Sequence, residues 1–173
     1  MEFDLRFSSD ELSFWADRYS FATPEENVRA VATGSKFEEN GYLTLNQLAR
    51  LCEWKTPRSQ PDVQKNSELF VREVTRSCVT SDSERVRIEV LILLDGVAWL
   101  TASVILHFGH PDPYPIIDFR ALWSLGVDEP SRYTFGLWSQ YVQTCRALSE
   151  KSGLSMREVD QALWQYSKKK QDR

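Results

Sequence analysis

One stretch of the chain, Ser83 to Arg120, limits the possible folds most, because two apolar patterns of helical spacing flank the dipeptide Asp95-Gly96. The residues of the first pattern are Val86, Val90, Leu93 and Leu94, and those of the second are Leu100, Val104, Ile105 and Phe108. Glycine adopts turn conformations that a side chain resists. The stretch therefore predicts a helix, a tight turn and a second helix over about residues 83–109.

The N-terminus of the second helix is a candidate phosphate site. The first amides of a helix have no acceptor within the helix, and the helix dipole favours an anion at that end. The small residues Thr101, Ala102 and Ser103 allow this helix to pack close to a neighbour. We therefore expect the turn to present backbone N–H groups to one phosphate.

Two motifs stand in register within this stretch. Asp95-Gly96-Val97-Ala98 followed by Thr101-Ala102 is similar to the sequence Leu-Pro-Gly-Val-Gly followed by Lys-Thr-Ala. Tyr114-Pro115-Ile116-Ile117-Asp118 is similar to a Pro-Val-Asp segment. Both motifs, at this separation, are those of the helix-hairpin-helix DNA glycosylase superfamily, the relatives of endonuclease III and MutY. The chain resembles that superfamily over about residues 83–126, roughly a quarter of its length.

The resemblance implies a fold and a set of DNA contacts. The implied fold is all-α, with about eight helices in two small lobes that form a single globular unit over residues 1–173. The Gly96 hairpin and Asp118, the latter in a catalytic segment at 114–126, would frame the cleft between the lobes. The residues expected to contact double-stranded DNA are Gly96, Val97, Ala98, Trp99 and Thr101. A helical bundle without a cleft is the alternative fold.

Departures from the family pattern narrow the activity. Leu100 stands where the lyase members carry a lysine, and leucine cannot form an imine, so a lyase reaction through this position is excluded. Only Cys145 lies beyond the hairpin, so the iron–sulfur cluster of several relatives is not expected, and no other cofactor is. Asp95 and Ala98 replace a proline and a glycine of the hairpin, and a carboxylate near a phosphate is unfavourable.

Asp118 is the candidate catalytic residue. Cleavage of an N-glycosidic bond builds positive charge on the sugar, and a nearby carboxylate can stabilise that charge and orient or deprotonate the attacking water. Aspartate is also a favoured N-cap residue, so the alternative is that Asp118 only begins the next helix. The two roles are compatible with each other.

The segment Lys55–Asp62 is predicted to be a loop, because two prolines interrupt any helix there. A glycosylase needs a wedge that fills the gap left by an extruded base, and Lys55, Arg58 and Gln60 are the candidates for it. The alternative is an ordinary polar connection between two helices.

Composition limits the choice of partners. The chain carries a net charge of −4, with 21 basic and 25 acidic side chains, whereas DNA-binding domains are usually basic. The basic run Lys168-Lys169-Lys170 is interpreted either as part of a DNA footprint or as an ordinary basic tail. No leader or membrane-spanning pattern is present, so a cytoplasmic protein without membrane contact is expected. The three cysteines are odd in number and widely spaced, which predicts reduced thiols.

Helical patterns with capping signals cover the rest of the chain. The predicted helices are about Ser9–Tyr19, Pro24–Gly34 with Val28 and Val31, Leu45–Trp54, Val63–Val79 with Leu69 and Phe70 inward, Thr134–Lys151, and a last helix after Ser155. His107 and His110 are interpreted as the end of the second hairpin helix with exposed imidazoles, and no metal site is expected.

Two functions are compatible with these observations. One is a monofunctional DNA N-glycosylase that flips a modified or mispaired base and hydrolyses its glycosidic bond with Asp118, without nicking the strand. The other is a module of the same fold that binds DNA or a protein without catalysis, as the acidic net charge and Ala98 permit. In either case we expect a monomer.

Overall fold

The computed structural model describes residues 3–128 and 130–171. Every regular element in these residues is a helix, so the predicted all-α fold is confirmed. Ten α-helices occur there rather than about eight, namely α1 (Leu12–Ala16), α2 (Pro24–Asn40), α3 (Leu45–Lys55), α4 (Gln60–Val63), α5 (Glu68–Thr80), α6 (Glu84–Leu91), α7 (Trp99–Gly109), α8 (Phe119–Ser124), α9 (Phe135–Ser152) and α10 (Met156–Lys170). Two 3-10 helices, Ser9–Glu11 and Pro57–Ser59, precede α1 and α4. None of the described helices is long and apolar enough to cross a membrane.

The helices form two compact units. The continuous unit contains residues 22–114 and therefore α2 to α7. The split unit combines the residues up to Phe21 with those from Pro115 onwards, and it contains α1 and α8 to α10. In the continuous unit α2 and α3 pack against α7, and α5 packs against α6. In the split unit α10 packs against both α1 and α8.

Local capping signals place most helix starts where the sequence predicts them. Thr23, Thr44 and Ser155 each accept a hydrogen bond from the amide three residues later. The side chain at that later position accepts one in return from the backbone of the cap. Ser83 and Thr134 cap α6 and α9 through their hydroxyl groups. These starts are predictable because each depends on residues that are neighbours in the sequence.

The predicted end of α2 at Gly34 is wrong, because α2 continues to Asn40 and ends at Gly41. Gly34 is buried inside the helix. A Cβ atom at Gly34 would overlap the carbonyl group of Phe108, so the glycine lets the backbones of α2 and α7 approach each other. A glycine at a close approach cannot be distinguished from a glycine at a helix end by its sequence alone.

Several apolar residues of the predicted helical stripes are exposed instead of buried. Leu69 and Leu93 are 69% and 63% exposed. The others at the surface are Val28, Val31, Phe70 and Val86. The side chains that are buried on the same helices include Phe37 of α2, Val71, Val74 and Cys78 of α5, and Ile88 and Leu91 of α6. These helices have apolar residues on more than one face, and the neighbouring helices determine which face is buried.

Two further predictions differ from the structure, the extent of the first helix and the conformation of the segment with Pro57 and Pro61. The first helix is shorter than Ser9–Tyr19, because a 3-10 helix capped by Ser8 precedes the single short helix α1. The segment Lys55–Asp62 is not a loop. Pro57 and Pro61 lie in the first turns of a 3-10 helix and of α4, where a missing N–H group costs little.

The helix predicted over Val63–Val79 is divided. α4 ends at Val63, and α5 begins only at Glu68, capped by the hydroxyl group of Ser67. Between them Asn66 is buried, and its Nδ2 donates a hydrogen bond to the Val63 carbonyl oxygen at 2.9 Å. Asparagine and serine side chains that bond nearby backbone groups compete with a continuous helix.

Candidate functional site

The hairpin lies between α6 and α7, close to the predicted range. α6 ends at Leu91, residues 92–98 form the turn, and α7 begins at Trp99. Gly96 has a φ angle of 78°, in the left-handed region that favours glycine. The turn is longer than the tight turn predicted, because Leu94 belongs to it rather than to the first helix.

The start of α7 offers backbone donors. The first intrahelical bond runs from the Ala102 amide to the Ala98 carbonyl oxygen at 2.8 Å, and no side chain caps the helix. The amides of residues 99–101 therefore precede the hydrogen-bond ladder of α7 and are candidate donors to an anion. Ala98 is exposed and Trp99 is half-buried. The side chains of Val97 and Thr101 are buried, so a contact between DNA and either residue would have to use the backbone.

The Asn66 side chain supports the hairpin through hydrogen bonds to its backbone. Its Oδ1 accepts a hydrogen bond from the Asp95 amide at 3.0 Å, and its Nδ2 donates to the Asp95 carbonyl oxygen at 3.0 Å. The same Nδ2 also bonds Val63, and the side chain is 6% exposed. A buried amide that satisfies both polar groups of one turn residue fixes the conformation of that turn.

Gly96 is in close contact with the segment that precedes Asn66. A Cβ atom at Gly96 would lie 2.7 Å from Val63 Cγ2, 2.8 Å from the Val63 nitrogen and 3.0 Å from the Ser59 carbonyl oxygen. The structure thus brings the hairpin together with the segment that the sequence analysis selected for a wedge. The glycine is required here both for its conformation and for the space.

The three wedge candidates have different surroundings. Arg58 is exposed in the 3-10 helix, and Lys55 is the last residue of α3. Gln60 uses its side chain within the fold, because its Nε2 donates to the Ala49 carbonyl oxygen at 2.7 Å. Arg58 is therefore the exposed one of the three, and its neighbour Ser59 contacts Gly96.

Charges of both signs surround the hairpin. Lys65 Nζ donates to Asp62 Oδ1 at 2.6 Å. This hydrogen bond raises the pKa of Lys65, and the charges of Asp62 and Asp95 raise it further. Asp95 is exposed at the turn itself. A phosphate at the hairpin would therefore meet backbone dipoles, and the nearby carboxylates of Asp62 and Asp95 would oppose its binding.

Replacing Asn66 by alanine tests its support of the hairpin. We expect Asn66→Ala to lower the free energy of unfolding by about 2–3 kcal/mol, because the hydrogen bonds to both polar groups of Asp95 are lost in a buried site. Urea denaturation measures the change. Asn46→Ala is the control, because Asn46 is exposed on α3. Equal stability of the two variants would contradict the supporting role of Asn66.

Asp118 lies in the split unit at the start of α8. It has an extended backbone, and its Oδ1 accepts a hydrogen bond from the Arg120 amide at 2.9 Å. Asp118 is thus the N-cap of α8, the structural role that its sequence position also allows. The residue is 6% exposed, and the preceding residues 115–117 are buried as well. The Tyr141 hydroxyl group donates to the Ile116 carbonyl oxygen at 3.0 Å and holds this segment in place.

A set of polar side chains from α10 and from the segment after α1 lies in the same unit. Asp160 is 5% exposed, and its Oδ2 accepts a hydrogen bond from Arg157 Nη1 at 2.9 Å. Arg157 Nη2 also donates to the Tyr19 hydroxyl oxygen at 3.3 Å. The guanidinium carbon lies 5.0 Å from the centroid of the Tyr19 ring. A buried carboxylate, an arginine and a phenol thus form one connected group.

The charge of Asp118 acts on two phenols of this unit. Burial raises the pKa of Tyr19 to about 12, and Arg157 partly opposes this rise. The nearby charges of Asp160 and Asp118 also raise the pKa of Tyr19. Burial raises the pKa of Tyr141 well above its ordinary value, and the same two carboxylates contribute. Two buried acids and two neutral phenols therefore share one region of the split unit.

The histidines after the hairpin have structural contacts. The His107 Nδ1–H donates to the Tyr114 carbonyl oxygen at 2.6 Å, and His110 Nδ1 accepts from the Asp112 amide at 3.0 Å. The prediction of exposed imidazoles is wrong, because the His110 side chain is only 3% exposed and packs against the Tyr114 ring. Arg87 donates to Asp112 and to the Tyr114 hydroxyl oxygen, which ties this segment to α6. Across the described residues, no group of three or more metal-ligating side chains converges.

The cysteines are buried free thiols, as predicted. Burial raises the pKa of Cys52 and of Cys78 to about 12, and it raises that of Cys145 still further. A thiol becomes a nucleophile only as its thiolate. None of the three is therefore a candidate for covalent catalysis.

Sequence reasoning missed Asn66, Tyr19, Arg157 and Asp160. One signal was present, because Asp160 stands between the apolar residues Val159 and Leu163 of an amphipathic helix. An acid on the buried face of a helix requires a partner, and Arg157 at the i−3 position is one. Asn66 and Tyr19 give no comparable signal.

The candidate residues form two groups, one in each unit. The Gly96 hairpin with Asn66 belongs to the continuous unit, and Asp118 with the polar set around Arg157 belongs to the split unit. Comparison of the chain with protein-family models, with curated proteins and with solved structures finds no match.

Proposed function

We propose that this protein is a monofunctional DNA N-glycosylase that removes a modified or mispaired base from double-stranded DNA by hydrolysis. The observation that carries the proposal is the hairpin, in which Gly96 and Asn66 hold the uncapped start of α7. Such an array of backbone N–H groups suits a DNA phosphate regardless of base sequence. No cofactor takes part, and Leu100 leaves no amine at the hairpin helix for strand cleavage through an imine.

Asp118 supplies the chemistry in this proposal. Water adds its oxygen to C1′ of the sugar, the bond from C1′ to the base nitrogen breaks, and the base leaves with the electron pair of that bond. One proton of the attacking water is transferred to a general base of the protein, and Asp118 is the candidate for that role. The carboxylate also stabilises the positive charge that builds on the sugar.

A second candidate function is a non-catalytic module that binds DNA or a protein. One observation favours this second function. Asp118 accepts a hydrogen bond from the Arg120 amide, which is the contact expected of a purely structural N-cap. The acidic side chains of Asp62 and Asp95 near the hairpin also reduce the attraction of a phosphate.

Base release from a panel of duplexes decides between the two functions. The duplexes contain uracil, oxidised, alkylated, hypermodified or mispaired bases, and alkali converts each abasic product into a cleaved strand. The glycosylase proposal expects at least one substrate to be cleaved after alkali and to remain intact without it. Strand cleavage without alkali would contradict the monofunctional assignment. Binding without release from any duplex would favour the non-catalytic module.

A substitution at Gly96 tests the hairpin separately from the chemistry. We expect Gly96→Val to weaken the binding of all duplexes by about tenfold or more, because the turn that presents the amides is distorted. Gly41→Val is the matched control, because Gly41 also has a positive φ angle, 70°, but no atom within 4 Å of an added Cβ. Both variants are expected to lose about 1 kcal/mol or more of stability through backbone strain. Fluorescence anisotropy measures the binding, and an equal loss of affinity in both variants would contradict a role of the hairpin.

A further inference from the structure

Aromatic rings and cations meet at one surface of the split unit. Trp164 lies at its centre, with Lys168 Nζ 5.0 Å and Arg120 Cζ 5.7 Å from its ring centroid. Tyr19 and Phe21 meet the same ring edge-on, with centroid distances of 5.5 and 5.4 Å. We name these five residues the Trp164 surface.

The Trp164 surface combines parts of the chain that are far apart in sequence. Trp164 and Lys168 are four residues apart on α10 and therefore lie on one face of this helix. Arg120 belongs to the first turn of α8. Phe21 and Lys168 are exposed, and the other members are half-buried. A ligand can therefore reach both the cations and the aromatic edges.

Among the described residues, the two cations of the surface have no carboxylate partner, although the charges of Asp118 and Asp160 act on Tyr19. Within residues 3–128 and 130–171, neither Arg120 nor Lys168 forms an ion pair. Lys168 donates instead to the Ser20 hydroxyl oxygen at 3.0 Å, which holds its Nζ near the ring. Lys169 and Lys170 follow in the last turn of α10 and add positive charge at the same end. The basic run is therefore the end of a helix rather than a tail.

This positive surface occurs on a chain with a net charge of −4. Two cations that flank one ring and have no carboxylate partner in the part of the chain that the structure describes favour an anionic ligand. Cations alone would suit any polyanion. Aromatic groups next to phosphate-binding cations are typical of surfaces for single-stranded nucleic acid, because every base has a face that stacks on a ring.

We propose that the Trp164 surface binds a single strand of nucleic acid, with Arg120 and Lys168 on its phosphates and the rings of Trp164 and Phe21 against its bases. The surface needs neither the hairpin nor the Asp118 carboxylate, so the proposal goes beyond the glycosylase function. It rests on that function only for the class of ligand. The split unit thus has its own contact with a strand.

Charge reversal of the full chain tests the proposal. The probe is a short fluorescein-labelled oligothymidine, followed by anisotropy at low and physiological salt. The double variant Arg120→Glu/Lys168→Glu is expected to bind about tenfold more weakly or worse, and its salt slope to fall by about 1.4, since two phosphate contacts are lost. Arg132→Glu/Lys151→Glu is the matched control, because both of these cations are exposed on the same unit and the change in charge is equal. We expect the control to bind within about twofold of wild type.

A substitution at Trp164 separates stacking from charge. Trp164→Leu keeps the charge and an apolar side chain, and it is expected to weaken oligothymidine binding about fivefold or more. Circular dichroism checks that each variant is folded. If the charge-reversed protein does not fold, Arg120→Gln/Lys168→Gln is measured by the same criteria, with Arg132→Gln/Lys151→Gln as control.

Three results would overturn the proposal. The first is an equal loss of affinity in the charge-reversed protein and its control. The second is displacement of the oligothymidine by polyglutamate as effectively as by unlabelled strand, which would assign the surface to acidic peptides. The third is a loss of oligothymidine binding in Gly96→Val but not in the variants of the Trp164 surface. The strand would then bind at the hairpin, and the proposed role of the hairpin would still stand. Absence of base release together with binding that depends on the Trp164 surface would support this proposal and contradict the glycosylase function.

Discussion

Asp118→Asn is expected to abolish base release, with a fall in rate of at least about a hundredfold, while duplex affinity stays equal or improves. The carboxylate acts on charge that exists only in the transition state, so its removal affects the chemical step rather than binding. Removal of a negative charge near phosphates cannot weaken their attraction. The measurement is single-turnover release from the best duplex of the panel, together with anisotropy on the same duplex.

The same substitution separates catalysis from helix capping. Asparagine is as good an N-cap residue as aspartate, and its amide oxygen can keep the bond to the Arg120 amide. The free energy of unfolding should therefore change by less than about 1 kcal/mol. Asp128→Asn is the control, because Asp128 is an exposed acid of the same unit. If Asp118→Asn releases bases at the wild-type rate, Asp118 is a structural cap and not a catalytic residue.

Gly34→Ala is expected to have the largest effect on stability. The added Cβ would overlap the carbonyl group of Phe108, and a backbone carbonyl inside α7 cannot rotate away as a side chain can. We expect a loss of about 3 kcal/mol or more in the free energy of unfolding, although alanine alone favours helix by about 1 kcal/mol. For a chain of this length the loss corresponds to a fall in Tm of about 6–12 °C.

Gly136→Ala is the matched control for Gly34→Ala. Gly136 lies in the first turn of α9, and the nearest atom to an added Cβ is the Thr134 hydroxyl oxygen at 3.9 Å. The free energy of unfolding of this variant is expected to equal that of wild type or to exceed it by up to about 1 kcal/mol, so its Tm should not fall. Thermal unfolding followed by circular dichroism compares the two. A Gly34→Ala protein as stable as Gly136→Ala would show that α2 and α7 are not in close contact.

The sequence by itself determined the features that depend on neighbours along the chain. The capping boxes at Thr23, Thr44 and Ser155 place three helix starts, and each is satisfied by residues within one turn. The hairpin and the helix start at Asp118 are predictable for the same reason, because a turn glycine and an N-cap act over a few residues. The all-α class follows from helical spacing of apolar residues over most of the chain.

Only the tertiary structure decided which apolar face of a helix is buried and which polar groups meet. Leu69 fits a helical stripe as well as Val71 does, yet it is exposed, because burial depends on the packing partner rather than on spacing. By its sequence Gly34 could end a helix, and only its contact with the Phe108 carbonyl group shows that it lies inside one. Asp160 and Tyr19 are brought together through Arg157 across most of the chain. Such contacts have no local signal, because the free energy that selects them comes from packing between distant segments.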